Sequence, residues 1–226
     1  GADKGAFSAA STLSADGGEI ALQGRLDTRS EAYGIELRCD SFPLNRFLPA
    51  DSLGLLDLAL QAGGSGFDPL RAQTRGNIRL QVNRAEFRGR DFGGVELNAN
   101  LEEGQLSGRL SDRDEALRLL LLVSGTLTER KQEVWLTGNV FDFDLAELGI
   151  SPQKIGGSFA LEAGASASDA GSYTARIALD SIEVRTRHRT DRIRPTSLSL
   201  SSDTTATRAK LASGDLSLAF VSPGPV

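Results

Sequence analysis

Apolar and polar residues alternate with a period of two along almost the whole of this 226-residue chain. Successive side chains of a strand point to opposite faces, so this period gathers the apolar set on one face and the polar set on the other. Ile20, Leu22, Gly24 and Leu26 make one such file, separated by Ala21, Gln23 and Arg25. The same reading holds for Tyr33, Ile35, Leu37 and Cys39; for Leu56, Leu58, Leu60 and Ala62; and for Ile78, Leu80 and Val82. It continues through Val95–Leu101, Leu106–Leu110, Leu119–Val123, Val134–Val140, Phe159–Ala163, Ala175–Leu179, Ile182–Val184, Leu198–Leu200 and Leu216–Phe220. Turn clusters separate the runs: Asp16-Gly17-Gly18, Glu103-Gly104, Ala170-Gly171 and Ser213-Gly214. About fourteen short strands joined mostly by tight turns predict an all-β antiparallel meander with one wet and one apolar face.

The pattern also repeats on a longer scale. The segment Ile20–Gly66 returns 101 positions later as Leu121–Ala167, with Gly24/Gly125, Leu26/Leu127, Phe42/Phe143, Leu44/Leu145, Leu60/Leu161 and Gly63/Gly164 identical. Such self-similarity points to stacked units sharing one core. It divides one continuous domain into a lead-in strand (1–19), a first repeat (20–119) and a second repeat (120–226).

Two interruptions fall at equivalent places in the repeats. In the first, Asp40 or Ser41 is placed to cap a single helical turn, with Pro43 near its first position, Phe42, Leu44, Phe47 and Leu48 on its apolar side, and Pro49 ending it. In the second, Asp142 is placed to cap a turn carrying Phe143, Leu145 and Leu148, with Gly149 as a left-handed stop. Each is too short to stand alone, so each is expected to plug an end or edge of the sheet.

Composition and motifs exclude much. A net charge of -5 and a pI of about 5.1 argue against a general nucleic-acid binder. The longest apolar run, Leu119–Val123, is strand-sized and far below the roughly 18 residues of a membrane helix. The lone Cys39 forms no internal disulfide and reads as a packed strand residue. His188 is the one histidine, set in a polar RTRHRTDRIR run, so no Ser-His-Asp or Cys-His pairing exists except through it. Asp142 with Asp144 reads as helix capping, and Asp112, Asp114 and Glu115 as a polar turn. Neither group has the frame of an acid–base site or a calcium loop. No catalytic residue, metal site or cofactor is expected, and the chain does not read as an enzyme.

Small and aliphatic residues dominate the apolar face. In a β-sandwich two such faces would interlock about 10 Å apart; in an open sheet they would line a groove that is costly in water unless something apolar occupies it. Alternation alone is compatible with both.

The phrase NRFLPADSLGLLDLALQAGGSGFDPLRAQTRGNIRLQV, with its Phe-x-Leu-x-x-Phe-Leu-Pro turn, following strand and Gly-Ser-Gly, resembles the repeat of bacterial TamB proteins, and FDFDLAELGI resembles the same element degenerated. TamB belongs to the AsmA-like superfamily of bridge-like lipid-transfer proteins, and the SGRLSD and FPL phrases are most similar to members from Bacteroidetes. The likeness covers about residues 13 to 220 and rests on soft patterns of Leu, Phe and Gly. It implies a long antiparallel curved sheet forming an open trough, or β-taco. The parent would be anchored in the inner membrane of a Gram-negative envelope, would cross the periplasm, and would assist outer-membrane assembly by carrying phospholipids. Partners implied are phospholipid acyl chains and, through other parts of the parent, an outer-membrane β-barrel.

Expected groove residues are Ile20, Leu22, Ile35, Leu37, Leu58, Leu60, Ile78, Leu80, Leu121, Val123, Leu136, Phe159 and Leu161, with plain core packing as the competing role of each. Arg185, Arg187 and Arg189 are candidates for headgroup or partner contact, against the alternative of a charged hairpin that keeps an edge from pairing. Without Met, and with Gly1 where an initiator would stand, the chain reads as a fragment of a longer protein. Its end strands, near Ala6–Leu13 and Leu216–Phe220, are expected to be unpaired and open to end-to-end dimerisation. A structural or adhesive β-repeat module without a lipid groove is the alternative function. A parallel β-helix enzyme fits poorly, since its coils would need about 20–25 residues.

Overall fold

The computed structural model describes residues 5–47, 53–168 and 171–224. Its first strands are β1 (Ala6–Ala15), β2 (Gly18–Asp27), β3 (Ala32–Pro43), β4 (Leu53–Ser65), β5 (Arg75–Phe87), β6 (Arg90–Phe92), β7 (Val95–Glu102) and β8 (Gln105–Arg113). After these come β9 (Leu117–Leu127), β10 (Lys131–Asp144), β11 (Ile155–Ser168), β12 (Tyr173–Thr186), β13 (Thr190–Ile193), β14 (Thr196–Ser202), β15 (Ala206–Ser213) and β16 (Leu216–Pro223). They form one open antiparallel sheet in the order β1-β2-β3-β4-β5-β7-β8-β9-β10-β11-β12-β14-β15-β16, with β6 on β5 and β13 on β12. The β-sandwich alternative needs a second sheet, and the described strands form one. Chain contacts divide into two units, Gly1–Gly104 with Gly108–Asp114, and Gln105–Ser107 with Glu115–Val226.

Local chemistry explains the meander. Asp16 and Gly17 (φ 49° and 84°) turn β1 into β2 in two residues, and Glu103 and Gly104 (φ 52° and 73°) do the same for β7 and β8. Positive φ at both positions is the geometry whose twist matches the flanking strands, and a glycine second residue relieves it. Among the described residues sixteen strands form rather than about fourteen. The short ribbons β6 and β13 are additions, and the weakly alternating ATRAKLAS of β15 was not marked by its apolar period. Ile182 and Val184, read as a separate run, belong to β12, where Ser181 (φ 51°) bulges and shifts the period by one.

Bulges also correct the two helical turns. In the first unit Cys39 pairs with Leu58 but Phe42 pairs with Leu56, so β3 holds one residue more than β4 between these pairs. Ser41 takes φ 45°, and its amide donates to the Asp57 carboxylate. Pairing therefore persists to Pro43, and neither Asp40 nor Ser41 caps a helix. After Pro43 the chain makes a single 3-10 turn, Leu44–Arg46, with no side-chain cap, closed by the Phe47 amide donating to the Leu44 carbonyl. Leu48 and Pro49 lie outside the described residues. In the second unit Asp142 stays in β10 opposite Arg118, and Asp144 is the cap: its carboxylate accepts from the amides of Ala146 (2.9 Å) and Glu147 (3.2 Å). Gly149, at φ 70°, ends that turn.

Full burial is rare. Buried apolar residues among those described include Cys39, Phe42, Pro43, Ala116, Val140 and Ala206. Phe42 stacks on Phe47 with ring centroids 5.1 Å apart, and Phe143 meets Phe159 edge-on at 6.2 Å. Within each unit the described strands form no second layer over the apolar face.

Candidate functional site: an uncovered apolar face

Register turns the files into a surface. Residues directly opposite in an antiparallel pair share a face. In the first unit one row runs Leu13, Ile20, Cys39, Leu58, Val82, Val95; the next runs Ser11, Leu22, Leu37, Leu60, Leu80, Leu97; a third runs Ala9, Gly24, Ile35, Ala62, Ile78, Ala99. All eight candidates from this part of the chain therefore lie on one face. Between them stand the polar rows, of which Gln23, Glu36, Gln61, Arg79 and Asn98 make one. The Gln61 amide donates to Glu36 and the Arg79 guanidinium to Asn98, both at 3.1 Å.

The second unit repeats the arrangement. Leu121, Gly138, Leu161 and Leu179 form one row, and Val123, Leu136, Ala163, Ile177, Leu198, Leu211 and Leu218 another. Val140 lies opposite Phe159. The five candidates here share one face as well. Bulges bring two residues expected in the helical turns onto this face instead: Phe42 opposite Leu56, and Phe143 opposite Leu117 and Gly157. Only the register reveals this, because one extra residue reverses the side to which every later side chain points.

This face is open to solvent. Leu22 on β2 is 45% and Ile35 on β3 47% exposed, and Ile177 on β12 and Leu198 on β14 are each 47% exposed; Leu37, Leu58, Leu60 and Leu80 are half-buried. A contiguous apolar surface of this kind marks a site for an apolar partner. Its lining includes the Tyr33 hydroxyl, in the Leu26, Tyr33, Gly64 row, and the Cys39 thiol, which burial pushes up.

The arginine run is largely neutralised in place. Arg185 pairs with Asp142, Arg189 with Asp191 (2.7 Å), Arg192 with Glu183 (3.8 Å) and Arg194 with Asp215. Arg187 and His188 occupy the exposed tip between β12 and β13. The Asp112 group is scaffolding: Asp112 accepts from the Asp114 amide at 2.9 Å, the Asp114 carboxylate accepts from Gly93, and burial raises Asp112 above the usual carboxylate range. Among the described residues no cluster of His, Cys, Asp and Glu could hold a metal, and no helix is long and apolar enough to cross a membrane. Compared with known proteins, the chain matches no family model, and no curated protein or solved structure is significantly similar to it.

Proposed function

We propose that this chain is a non-enzymatic segment of a TamB-like, periplasm-spanning envelope protein, and that its apolar face shields phospholipid acyl chains as they pass between the inner and outer membranes. The observation that carries this reading is the apolar face itself: aligned Leu, Ile and Val rows cross six strands in the first unit, with Leu22 on β2 and Ile35 on β3 left in solvent. At about 0.8 kcal/mol per buried CH₂, one acyl chain moved from water onto such a surface gains on the order of 10 kcal/mol. A mainly aliphatic lining suits a chain that slides rather than one that docks. Headgroups would stay in water beside the polar margins, where Arg187 at the β12–β13 tip is a cation available to meet them. Outer-membrane β-barrel contact would fall to other parts of the parent. The unpaired outer edges of β1 and β16 are also suited to joining two copies end to end, which sedimentation at rising concentration would register.

The test is native mass spectrometry with lipid extraction, on protein purified in mild detergent and then exchanged free of it. Phospholipid is expected to co-purify, and to be lost from the Leu58→Asp, Leu60→Asp double variant while circular dichroism stays that of a sheet. Wild-type protein that carries no lipid, together with unfolding of the double variant, would overturn the reading in favour of a structural β-repeat module.

A further inference from the structure

The polar face of the second unit carries a large aromatic residue, Trp135, besides Leu120 and Leu122. Trp135 is the only tryptophan, and it stands 46% exposed among hydroxyls, carboxylates and amides. It lies opposite Ser124 on β9 and Gly164 on β11, so it points away from the apolar rows. Gly164 gives it a seat: a Cβ there would come within 2.4 Å of the ring carbons Cε3 and Cζ3, so the six-membered ring covers the space a side chain would fill. The Glu133 carboxyl is held below the usual range by hydrogen bonds, first from Lys131 and then from the Trp135 side chain. The indole's one polar group is thus engaged within its own strand. Its exposed part is an oriented aromatic surface.

Beside this surface is an unneutralised cation. Arg176 lies opposite Gly164 on the next strand, and the same row continues through Ser199 to Lys210. Among the described residues Arg176 and Lys210 make no ion pair, whereas Arg185, Arg189, Arg192, Arg194 and Arg208 each do. Exposed Glu162, one step diagonal to Arg176, forms no ion pair with it. Next to the indole the Ser166 and Thr174 hydroxyls hydrogen-bond each other at 2.8 Å and keep further donor and acceptor capacity. A depression of about 390 Å³ is lined by Trp135, Ser166, Thr174, Arg176 and Ser199 among others.

We propose that this patch binds an anionic saccharide, with a pyranose ring stacked on Trp135 and its carboxylate on Arg176. Each part answers one feature of such a ligand. The C–H face of a pyranose is apolar and faintly positive, and it meets the negative face of the indole. Ring hydroxyls exchange hydrogen bonds with Ser166, Thr174 and Ser199. The planar guanidinium takes a carboxylate through two parallel N–H···O bonds, which selects an acidic sugar over a neutral one. Strands stand about 4.8 Å apart, so Arg176 and Lys210 are about 10 Å apart along the row, the spacing of charges on a chain of acidic sugars rather than on a single ring. Local positive charge on a chain of net charge -5 supplies the complementarity. This site and the apolar rows use opposite faces, so neither inference depends on the other.

The single tryptophan is its own reporter. The 226-residue chain is titrated with α-1,4-linked trigalacturonate and, in parallel, with neutral maltotriose, following Trp135 emission. Saturable quenching by trigalacturonate at millimolar concentration or below is expected, with maltotriose at least about 10-fold weaker. Arg176→Ala should weaken trigalacturonate by a similar factor and leave maltotriose unchanged, and Trp135→Ala should abolish both heats in calorimetry. Arg176 is exposed and forms no ion pair, so its variant is expected to melt with wild type and keeps the test valid even if Trp135→Ala is destabilised. No saturable change with trigalacturonate, equal affinity for the neutral sugar, or indifference to Arg176→Ala would each overturn the proposal.

Discussion

Leu60 sits in the middle of the row Leu22, Leu37, Leu60, Leu80, Leu97, and replacing it by Asp separates an open face from a closed core. Complete burial of a leucine side chain stabilises by about 1.5–3 kcal/mol. Leu60 is half-buried, which leaves about 1 kcal/mol to lose, and an unfavourable strand propensity for Asp adds up to about 1 kcal/mol. On an uncovered face the new carboxylate keeps its water. The expected cost is therefore about 2 kcal/mol, read as a shift of the urea midpoint followed by circular dichroism, with the slope unchanged. Phe42→Ala is the internal comparison. Phe42 is 3% exposed and stacked on Phe47, so truncating it should cost about 3–5 kcal/mol. Were the Leu60 face packed against a second layer, its carboxylate would be stripped of water at a cost of several kcal/mol. A Leu60→Asp loss equal to or above that of Phe42→Ala would refute the open-face argument.

Local chemistry sets three further outcomes. Asp203 accepts from the Thr205 hydroxyl, then from the Thr205 and Ala206 amides and from Arg208, which together hold it far below its ordinary 3.8. A depressed carboxylate stabilises the fold at pH values above its unfolded pKa, so the melting-temperature gap between wild type and Asp203→Ala should be full at pH 7 and close as pH falls through 3.8 and below. A gap that does not change with pH would show that the hydrogen bonds do not favour the ionised form. Cys39 is 2% exposed and its thiol is pushed up by burial, so alkylation at pH 8 should be far slower in the native protein than in denaturant, and rapid native labelling would contradict its placement. Gly17→Val forces a β-branched residue into φ 84° and should lower stability by about 1–2 kcal/mol in urea titration, while Asp16→Asn, suited to the same turn, should change it little.

Much of the strand pattern is present in the sequence because its cause is local. Period two assigns Leu22, Leu37, Leu60 and Leu80 to one face of their strands whatever lies nearby, and Asp16-Gly17 and Glu103-Gly104 carry their turn geometry in their own backbone preferences. The thirteen apolar candidates share a face within their units for the same reason. Phe42, Phe143 and Val184 are different. Their side is decided by bulges at Ser41, in β10 and at Ser181, and a bulge exists only relative to the partner strand that lacks the extra residue. The cap position follows the same rule: Asp144 rather than Asp142 caps because pairing with Arg118 of β9 holds Asp142 in the strand. Trp135 stands on the polar side by simple alternation, but its seat on Gly164 and its place beside Arg176 come from the β10–β11–β12 register. Above all, alternation is the same for a sheet that meets a second sheet and for one that does not. Whether the Leu and Ile rows are covered depends on contacts between residues far apart in the chain, and only the tertiary structure, with its single sheet and exposed Leu22 and Ile35, decides that they are open.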